Sequence, residues 1–277
     1  MRPANRFGTF GGTTTADDRR PEAAGALRDR VDYRSAHAVI FDSHMHIGSL
    51  GAQYGVSLDA AGLVQSMREN GIDAGALFAP DNEAVREVVE SVPGVYGLVW
   101  ANPRTAGALE QAREYLAHPG FVGIKLHPIR DGFHPNDLAV HPLLELALEL
   151  DVPVLIHSGH PIFSLPWIIE ELVVNFPDAK VILGHMGHGN VVYINASIEV
   201  GKRNPNVYLE TSGMPMHTKI RDAIDALGPT RVLYGSDMPA YHPQIEIDKV
   251  RLSGLSDELV DRVLDRNARA LFLREDV

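Results

Sequence analysis

Apolar and polar residues alternate in a regular pattern from His37 onward. Short apolar runs bounded by Gly, Pro or Asn are each followed by a longer segment with helical spacing. The apolar runs predict eight strands, at Ala38–Phe41, Ala74–Phe78, Val95–Trp100, Phe121–Leu126, Val152–Ile156, Lys180–Leu183, Asn206–Leu209 and Arg231–Tyr234. The intervening segments predict eight helices, at Leu58–Asn70, Glu83–Ser91, Ala106–Ala117, Leu138–Leu150, Leu165–Asn175, Asn190–Lys202, His217–Leu227 and Ser256–Phe272.

This order of elements favours an α/β fold of the (β/α)₈ TIM-barrel type. Eight strand–helix pairs over about 240 residues match the size and order of such a barrel, and an open doubly wound sheet is the structural alternative. Residues 1–35 show neither the helical nor the strand periodicity of apolar residues, and they are rich in Gly, Thr, Asp and Arg. We therefore expect a flexible N-terminal extension over 1–35 and a TIM-barrel domain that carries the chemistry over 36–277.

Composition and charge narrow the class of protein. The chain has 277 residues, 45% of them hydrophobic and 22% charged, which is typical of a folded soluble protein. It contains no cysteine, so disulfides, thiolate nucleophiles and Cys-containing zinc sites are excluded. No apolar run has the length of a membrane span, and the first 35 residues lack the apolar core of a secretory signal, so we expect a cytoplasmic protein.

The net charge argues against polyanionic partners. The formal charge is −11, and because residues 1–35 carry a balance of +2, the remainder carries −13. A domain with this negative charge repels nucleic acid and anionic membranes, so neither is an expected partner. A small-molecule substrate is the expected partner. Whether the protein forms a homo-oligomer is left open by the sequence.

Polar residues with metal-binding chemistry follow five of the eight predicted strands. Active sites of TIM barrels lie at the carboxyl ends of the strands, so these positions are informative. The segments are Asp42-Ser43-His44-Met45-His46 after strand one, Lys125-Leu126-His127 at strand four, His157-Ser158-Gly159-His160 after strand five, Gly184-His185-Met186-Gly187-His188 after strand six and Gly235-Ser236-Asp237 after strand eight.

The spacing of these residues predicts a metal site. His44 and His46 lie two residues apart, so in an extended strand both imidazoles project to the same side. His157 and Asp237 would complete a set of three nitrogens and one carboxylate oxygen, with one position open for water or substrate, as in catalytic metal sites. His185 would be a ligand of a second metal or a hydrogen-bonding group facing the substrate.

Strand four offers two further candidates. Lys125 can be a buried ion-pair partner, a binder of a substrate carboxylate or, if carboxylated, a bridge between two metals. His127 stands beside it as a second-metal or substrate ligand. The first two readings of Lys125 are preferred, and since a second metal would need the carboxylated bridge, one metal is the first choice.

The joint pattern resembles the amidohydrolase superfamily, in particular its amidohydrolase-related group of hydrolases and decarboxylases. The resemblance rests on His44-x-His46, "GIKLHP", "VLIHSG", "VILGHMG", "VLYGSDMP" and "NARALF", and it spans about residues 37–273. It implies a distorted (β/α)₈ barrel with one divalent metal, most often Zn²⁺, with Mn²⁺ or Fe²⁺ as alternatives. The implied ligands are His44, His46, His157 and Asp237, with His185 as a catalytic histidine.

Three functions follow as hypotheses. The first is a metal-dependent hydrolase of a small amide, ester or lactone, in which Asp237 moves the proton of water and His185 donates a hydrogen bond to the oxyanion. The second is a non-oxidative decarboxylase of a small carboxylic acid, and the third is a non-catalytic ligand-binding barrel. The candidate substrate-binding residues are Arg130, Arg104, His160, Tyr54 and Tyr241, and the two arginines favour an acidic molecule.

Overall fold

The computed structural model of the protein describes residues 39–52 and 54–276. Eight parallel strands form one sheet whose order follows the chain. They are β1 (Phe41–His46), β2 (Ala74–Phe78), β3 (Val95–Trp100), β4 (Phe121–Leu126), β5 (Val154–His157), β6 (Val181–Gly184), β7 (Val207–Glu210) and β8 (Val232–Leu233). A two-stranded antiparallel hairpin, Gly48–Ser49 with Ser57–Leu58, lies outside this sheet.

Ten α-helices lie in the described part of the chain. They are α1 (Ala60–Asn70), α2 (Asn82–Ser91), α3 (Ala108–Leu116), α4 (Pro128–Asp131), α5 (His141–Leu150), α6 (Pro166–Val173), α7 (Val191–Arg203), α8 (Thr218–Leu227), α9 (Pro243–Arg251) and α10 (Asp257–Asp261). Short 3₁₀ segments lie at Leu138–Val140 and His185–Gly187, and π-helical turns at Arg262–Arg266 and Arg269–Leu273 continue α10. No helix among these is long and apolar enough to span a membrane.

Hydrogen bonds between β1 and the segment around β8 join the two edges of the sheet. Ser43 N donates to Tyr234 O at 3.0 Å, and His46 N donates to Met238 O at 2.9 Å. Asp237 N in turn donates to His44 O at 2.7 Å. The predicted TIM barrel is therefore confirmed, and the open-sheet alternative is wrong because an open sheet would leave these edge groups unpaired.

Apolar packing explains why the strands read as nearly continuous apolar runs. Alternate residues of β2, namely Ala74, Ala76 and Phe78, belong to a smaller core cluster that includes Phe272 of the C-terminal helical segment. Phe41 of β1 stacks on Phe272 with ring centroids 5.7 Å apart. The larger cluster joins the other faces of the strands to the surrounding helices. Parallel strands buried on both faces need apolar side chains in both directions.

Most predicted elements differ from the observed ones by one or two residues at their ends, and β1, α4 and α9 differ more. β1 covers Phe41–His46 rather than Ala38–Phe41, because Asp42, Ser43, His44 and His46 are polar yet buried inside the strand. α4 and α9 were not predicted; each begins at a proline in its first turn. Ala38 and the predicted N-terminal extension lie outside the described residues, so the domain boundary stays a prediction.

Candidate active site

Ten of the twelve candidate residues line one cavity of about 460 Å³ at the carboxyl ends of the strands. They are His44, His46, Tyr54, Lys125, His127, Arg130, His157, His160, His185 and Asp237. Arg104 and Tyr241 lie outside this lining. Arg104 donates from Nη1 to Gly132 O at 2.7 Å, and the Tyr241 hydroxyl lies 3.3 Å from His188 Nε2.

Three of the four predicted metal ligands come together. Asp237 Oδ1 lies 3.4 Å from His44 Nε2 and 2.9 Å from His46 Nε2. The three ligand atoms all lie within 4.8 Å of one another, which is close enough to hold a single cation. Two imidazole nitrogens and a carboxylate oxygen are the donors that Zn²⁺, Mn²⁺ and Fe²⁺ accept, so the residues fit such a metal.

The carboxyl group of Glu210 sets the orientation of His44. Glu210 ends β7, and its Oε2 lies 2.7 Å from His44 Nδ1. It also accepts hydrogen bonds from His185 N, from Ser212 N and, at 2.9 Å, from Ser212 Oγ. Because these donors occupy the carboxylate, His44 Nδ1 carries the hydrogen and its Nε2 is left bare toward Asp237. This carboxylate–histidine arrangement is typical of metal sites.

Glycine at position 235 makes room for this carboxyl group. A Cβ on Gly235 would lie 2.3 Å from Glu210 Oε1 and 2.7 Å from His44 Cβ. Glu210 is not among the predicted site residues, because the predicted strand seven ends at Leu209 and Glu210 lies one residue beyond it. The signal was present, since a carboxylate directly follows the apolar residues of that strand.

Hydrogen-bonding logic fixes the tautomers of three histidines. The Ser212 carbonyl can only accept, so His185 Nδ1, 3.1 Å away, carries the hydrogen and His185 Nε2 is bare. His157 Nδ1 must then donate to His185 Nε2 at 3.0 Å, and His157 Nε2 accepts from His160 Nδ1 at 2.9 Å. In this arrangement His157 lies outside the group of three ligand atoms, and its place as the fourth ligand stays a prediction.

Burial and a neighbouring charge disfavour the protonated form of three histidines in the cavity. Burial lowers the pKa of His44, His157 and His185 well below the ordinary value, and the charge of Lys125 adds to this. Burial acts to raise the pKa of Asp237, yet His44, His46 and Lys125 outweigh it, so that pKa lies below its ordinary value. A cation binds deprotonated ligands, and the lowered pKa values of His44 and Asp237 favour that state.

Two loops with the same His-x-Gly-His pattern pack against each other. They are residues 157–160 after β5 and residues 185–188 after β6. A Cβ on Gly159, whose φ is +93°, would lie 2.3 Å from the carbonyl carbon of Gly187. Ser158 Oγ donates to Gly184 O at 2.6 Å and accepts from Gly187 N at 3.2 Å. The close approach of the backbones brings the histidines of both loops together.

Left-handed backbone occurs at residues other than glycine in the loop after β6 and at Asp237. His185, Met186 and His188 have φ values of 65°, 32° and 54°, and Asp237 has a φ of 57°. Such conformations are uncommon for residues other than glycine and are strained. They persist here because hydrogen bonds and packing hold the candidate side chains in place.

Substitution of Gly159 by alanine is expected to destabilise the protein by more than about 2 kcal/mol. The new methyl group would overlap the backbone of Gly187, and the residue would keep a positive φ. Urea unfolding measures the change. Gly189→Ala is the matched control, since a Cβ there meets nothing within 4 Å. Equal unfolding free energies for the two variants would contradict the packing argument.

A buried ion pair from α9 holds the loop that follows β7. Lys249 Nζ donates to Thr211 O at 3.0 Å and to Met214 O at 2.6 Å, and it pairs with Glu246. Glu246 Oε2 accepts from Gly213 N at 3.0 Å. The pair therefore fixes the segment that carries Ser212, which in turn contacts His185.

This ion pair predicts a specific pH dependence of stability. Burial raises the pKa of Glu246 from 4.5 to about 7, against the opposing effect of Lys249. Between these values the folded protein holds a proton that the unfolded chain has lost, so the free energy of unfolding falls as the pH rises. We expect a fall of about 3 kcal/mol from this group between pH 5 and 8.

Urea unfolding of wild type and Glu246→Gln at several pH values isolates this effect. The difference in unfolding free energy between the two proteins should change across pH 5–8. Glu199→Gln, at an exposed position of α7, is the control that should leave the slope of wild type unchanged. A pH-independent difference between wild type and Glu246→Gln would refute the prediction.

Comparisons with known proteins place the chain in a family. The family model described as Amidohydrolase matches residues 42–274. The chain belongs to the amidohydrolase family. Membership confirms the resemblance seen in the sequence and makes the protein an enzyme of that family. A search of the curated proteins found no match to this amidohydrolase.

Solved structures of similar fold include a TIM-barrel protein, Bb4693, from Bordetella bronchiseptica, with a TM-score of 0.71, 19% identity and coverage of 85% of this chain and 98% of that chain. An amidohydrolase from Burkholderia multivorans with bound zinc has a TM-score of 0.70 and 16% identity, over 85% of this chain and 99% of that one. A dihydroxybenzoic acid decarboxylase from Polaromonas sp. JS666, with bound manganese and 2-nitroresorcinol, has a TM-score of 0.67 and 18% identity. The match covers 86% of this chain and 98% of that chain. At these identities the likeness concerns the fold.

Proposed function

We propose that this amidohydrolase is a metal-dependent hydrolase of a small amide, ester or lactone. The observation that carries the proposal is the convergence of His44 Nε2, His46 Nε2 and Asp237 Oδ1 at a cavity of small-molecule size. These three residues, with His157 as the fourth ligand, would hold one divalent cation, with Zn²⁺ as the first choice and Mn²⁺ or Fe²⁺ as alternatives. The relatives with bound zinc and manganese support this choice of ions.

The bound cation supplies Lewis acidity, which polarises a substrate carbonyl group and makes water a stronger acid. The protein supplies the proton transfers. Asp237 is ionised because its pKa is lowered, and its second oxygen, Oδ2, can accept a proton from the attacking water and return it to the leaving group. The hydrogen bond from Asp237 N to His44 O, at 2.7 Å, holds the backbone of residue 237 and thereby orients this base.

His185 makes hydrogen bonds with both ring nitrogens in this structure. Its Nδ1 hydrogen is directed at Ser212, and its Nε2 accepts from His157 Nδ1 at 3.0 Å. Because burial lowers the pKa of His185 well below its ordinary value, His185 is a weak proton acceptor. We propose that His185 is the hydrogen-bonding group that faces the substrate and that Asp237 is the base.

Elemental analysis and turnover together test the proposal. The wild type, purified without added metal or an affinity tag, should contain about one equivalent of Zn²⁺, Mn²⁺ or Fe²⁺, and His44→Ala and Asp237→Ala should lose it. Lactones, esters and amides are then assayed for hydrolysis, and carboxylic acids for release of carbon dioxide. Hydrolysis that requires the metal supports the proposal.

Three outcomes would overturn it. Release of carbon dioxide without hydrolysis would favour the decarboxylase alternative, which the same residues can serve. Two metals per chain would make Lys125 or His185 a bridging ligand. Unchanged ligand affinity in His185→Ala, with no turnover of any substrate by the wild type, would favour a non-catalytic binding barrel.

A further inference from the structure

The peptide group between Ser212 and Gly213 is held from both sides. Its carbonyl oxygen accepts from His185 Nδ1, 3.1 Å away, and its N–H donates to Glu246 Oε2 at 3.0 Å. In a trans peptide these two groups point in opposite directions. The orientation that directs the N–H at Glu246 is therefore also the orientation that directs the carbonyl at His185.

This peptide lies in the middle of a four-residue turn that runs from Thr211 to Met214. Met214 N donates to Thr211 O at 3.4 Å, Gly213 has a φ of 64°, and the φ of Ser212 is not positive. These are the features of a type II turn, in which the third residue needs a positive φ. A type I turn would span the same residues with the central peptide rotated by about 180°. The peptide thus has two accessible orientations within one turn.

Two buried residues of α9 favour the observed orientation. Glu246 Oε2 accepts from the Gly213 N–H, and Lys249 Nζ donates to the carbonyl groups at both ends of the turn, at 3.0 and 2.6 Å. Lys249 also pairs with Glu246 Oε2, so the three hydrogens of its ammonium group are all used. After rotation the Ser212 carbonyl would face the carboxylate, and the Gly213 N–H would lose its acceptor. Both changes are unfavourable in a buried position.

The tautomer of His185 depends on this orientation, because a carbonyl requires a hydrogen on Nδ1 whereas an N–H requires a lone pair there. Ser212 Oγ lies 2.9 Å from the same nitrogen, but its hydrogen is directed at Glu210 Oε2, so this oxygen also accepts. With the peptide rotated, Nδ1 would be bare and Nε2 would carry the hydrogen. Since Nε2 lies 3.0 Å from His157 Nδ1, the hydrogen bond between the two rings would reverse.

We propose that Glu246 is a positioning residue that fixes the tautomer of His185 through the Ser212–Gly213 peptide. Glu246 lies on α9, outside the cavity lining, whereas His185 lines the cavity. Glu246 therefore acts without touching a substrate, and it leaves His185 Nε2 as an acceptor. The inference rests on the proposed function only in taking His185 as the hydrogen-bonding group that faces the substrate.

Nitrogen-15 NMR of the histidine side chains reports the tautomer directly, because a ring nitrogen that carries hydrogen and a bare one have well-separated chemical shifts. The measurement uses full-length protein with Zn²⁺ as the only metal, and His185→Gln assigns the signals of residue 185. We expect His185 of the wild type to carry its hydrogen on Nδ1. Glu246→Leu removes the acceptor of the Gly213 N–H and should shift most of the His185 population to the Nε2 tautomer.

Three further variants separate this effect from a general loss of stability. Glu246→Gln keeps an oxygen that can accept from both Gly213 N and Lys249 Nζ, so it should retain the tautomer of wild type. Val250→Ala removes buried apolar contacts of the same helix and should also retain it. Gly213→Ala should shift the tautomer as Glu246→Leu does, since alanine disfavours the positive φ of the type II turn.

Three results would overturn the proposal. They are a wild type that carries the hydrogen on Nε2, a folded Glu246→Leu with the tautomer of wild type, or the same shift in Glu246→Gln as in Glu246→Leu. If Glu246→Leu fails to fold, the wild type and Gly213→Ala still test the proposal. The tautomer is measured without turnover. A tautomer that depends on Glu246, in a protein that hydrolyses no substrate, would support the positioning role and reject the hydrolase.

Discussion

Replacing Asp237 by asparagine is expected to lower kcat/KM by about 10²–10⁴-fold, the range for loss of a general acid–base group. The backbone of residue 237 is held by the hydrogen bond to His44 O, so the side chain should keep its position. Asparagine preserves the shape of the group but cannot accept a proton at neutral pH. The amide oxygen can still face the cation, so the loss should fall mainly on kcat.

Steady-state kinetics on the first hydrolysed substrate, with metal content measured beside them, tests this expectation. Asp222→Asn is the control, because Asp222 pairs with Lys219 at the surface of α8 and should leave both quantities unchanged. Turnover of Asp237→Asn within threefold of wild type, at equal metal content, would exclude Asp237 as the base.

Replacing Glu210 by glutamine should weaken metal binding about 10–100-fold, the effect expected when the partner of a ligating histidine is lost. Glu210 accepts hydrogen bonds from four donor groups, and the amide of glutamine would turn a donor toward one of them. The repulsion should rotate His44 or move its hydrogen to Nε2. Either change removes the unprotonated Nε2 of His44 from the three candidate metal-ligand atoms.

Competition with a chromophoric chelator gives the affinity of each variant for Zn²⁺. Glu199→Gln is the matched control, since its carboxylate lies at the surface. Circular dichroism shows whether the barrel remains folded. If folded Glu210→Gln binds Zn²⁺ as tightly as wild type, Glu210 does not orient a metal ligand.

Sequence patterns predicted the barrel because buried parallel strands require apolar residues on both faces. Three strands, β2, β3 and β4, have the predicted bounds. β1 was misplaced because its buried residues after Phe41 are mostly polar, and polar residues inside a closed barrel look like a loop in the sequence. α9 was missed because it starts at Pro243 and buries only part of one face.

The sequence predicted which site residues lie close together, but it did not predict which of them form hydrogen bonds with each other. The strand-end rule placed His44, His46 and Asp237 together, since the carboxyl ends of neighbouring strands converge. The hydrogen bond of His157 to His185 depends on ring rotations and on the close approach of two loops. Neither is encoded in residue spacing, although the glycine in each His-x-Gly-His segment marks the close approach.

The position of the ligand group at the junction of β1 and β8 makes the site a property of the closed barrel. His44 and His46 come from the first strand, and Asp237 follows the last one. A nascent chain therefore cannot assemble the group until nearly all of the barrel has been synthesised. A cation bound there would cross-link the first and last strands, so its loss should promote opening at this junction before any other pair of strands separates.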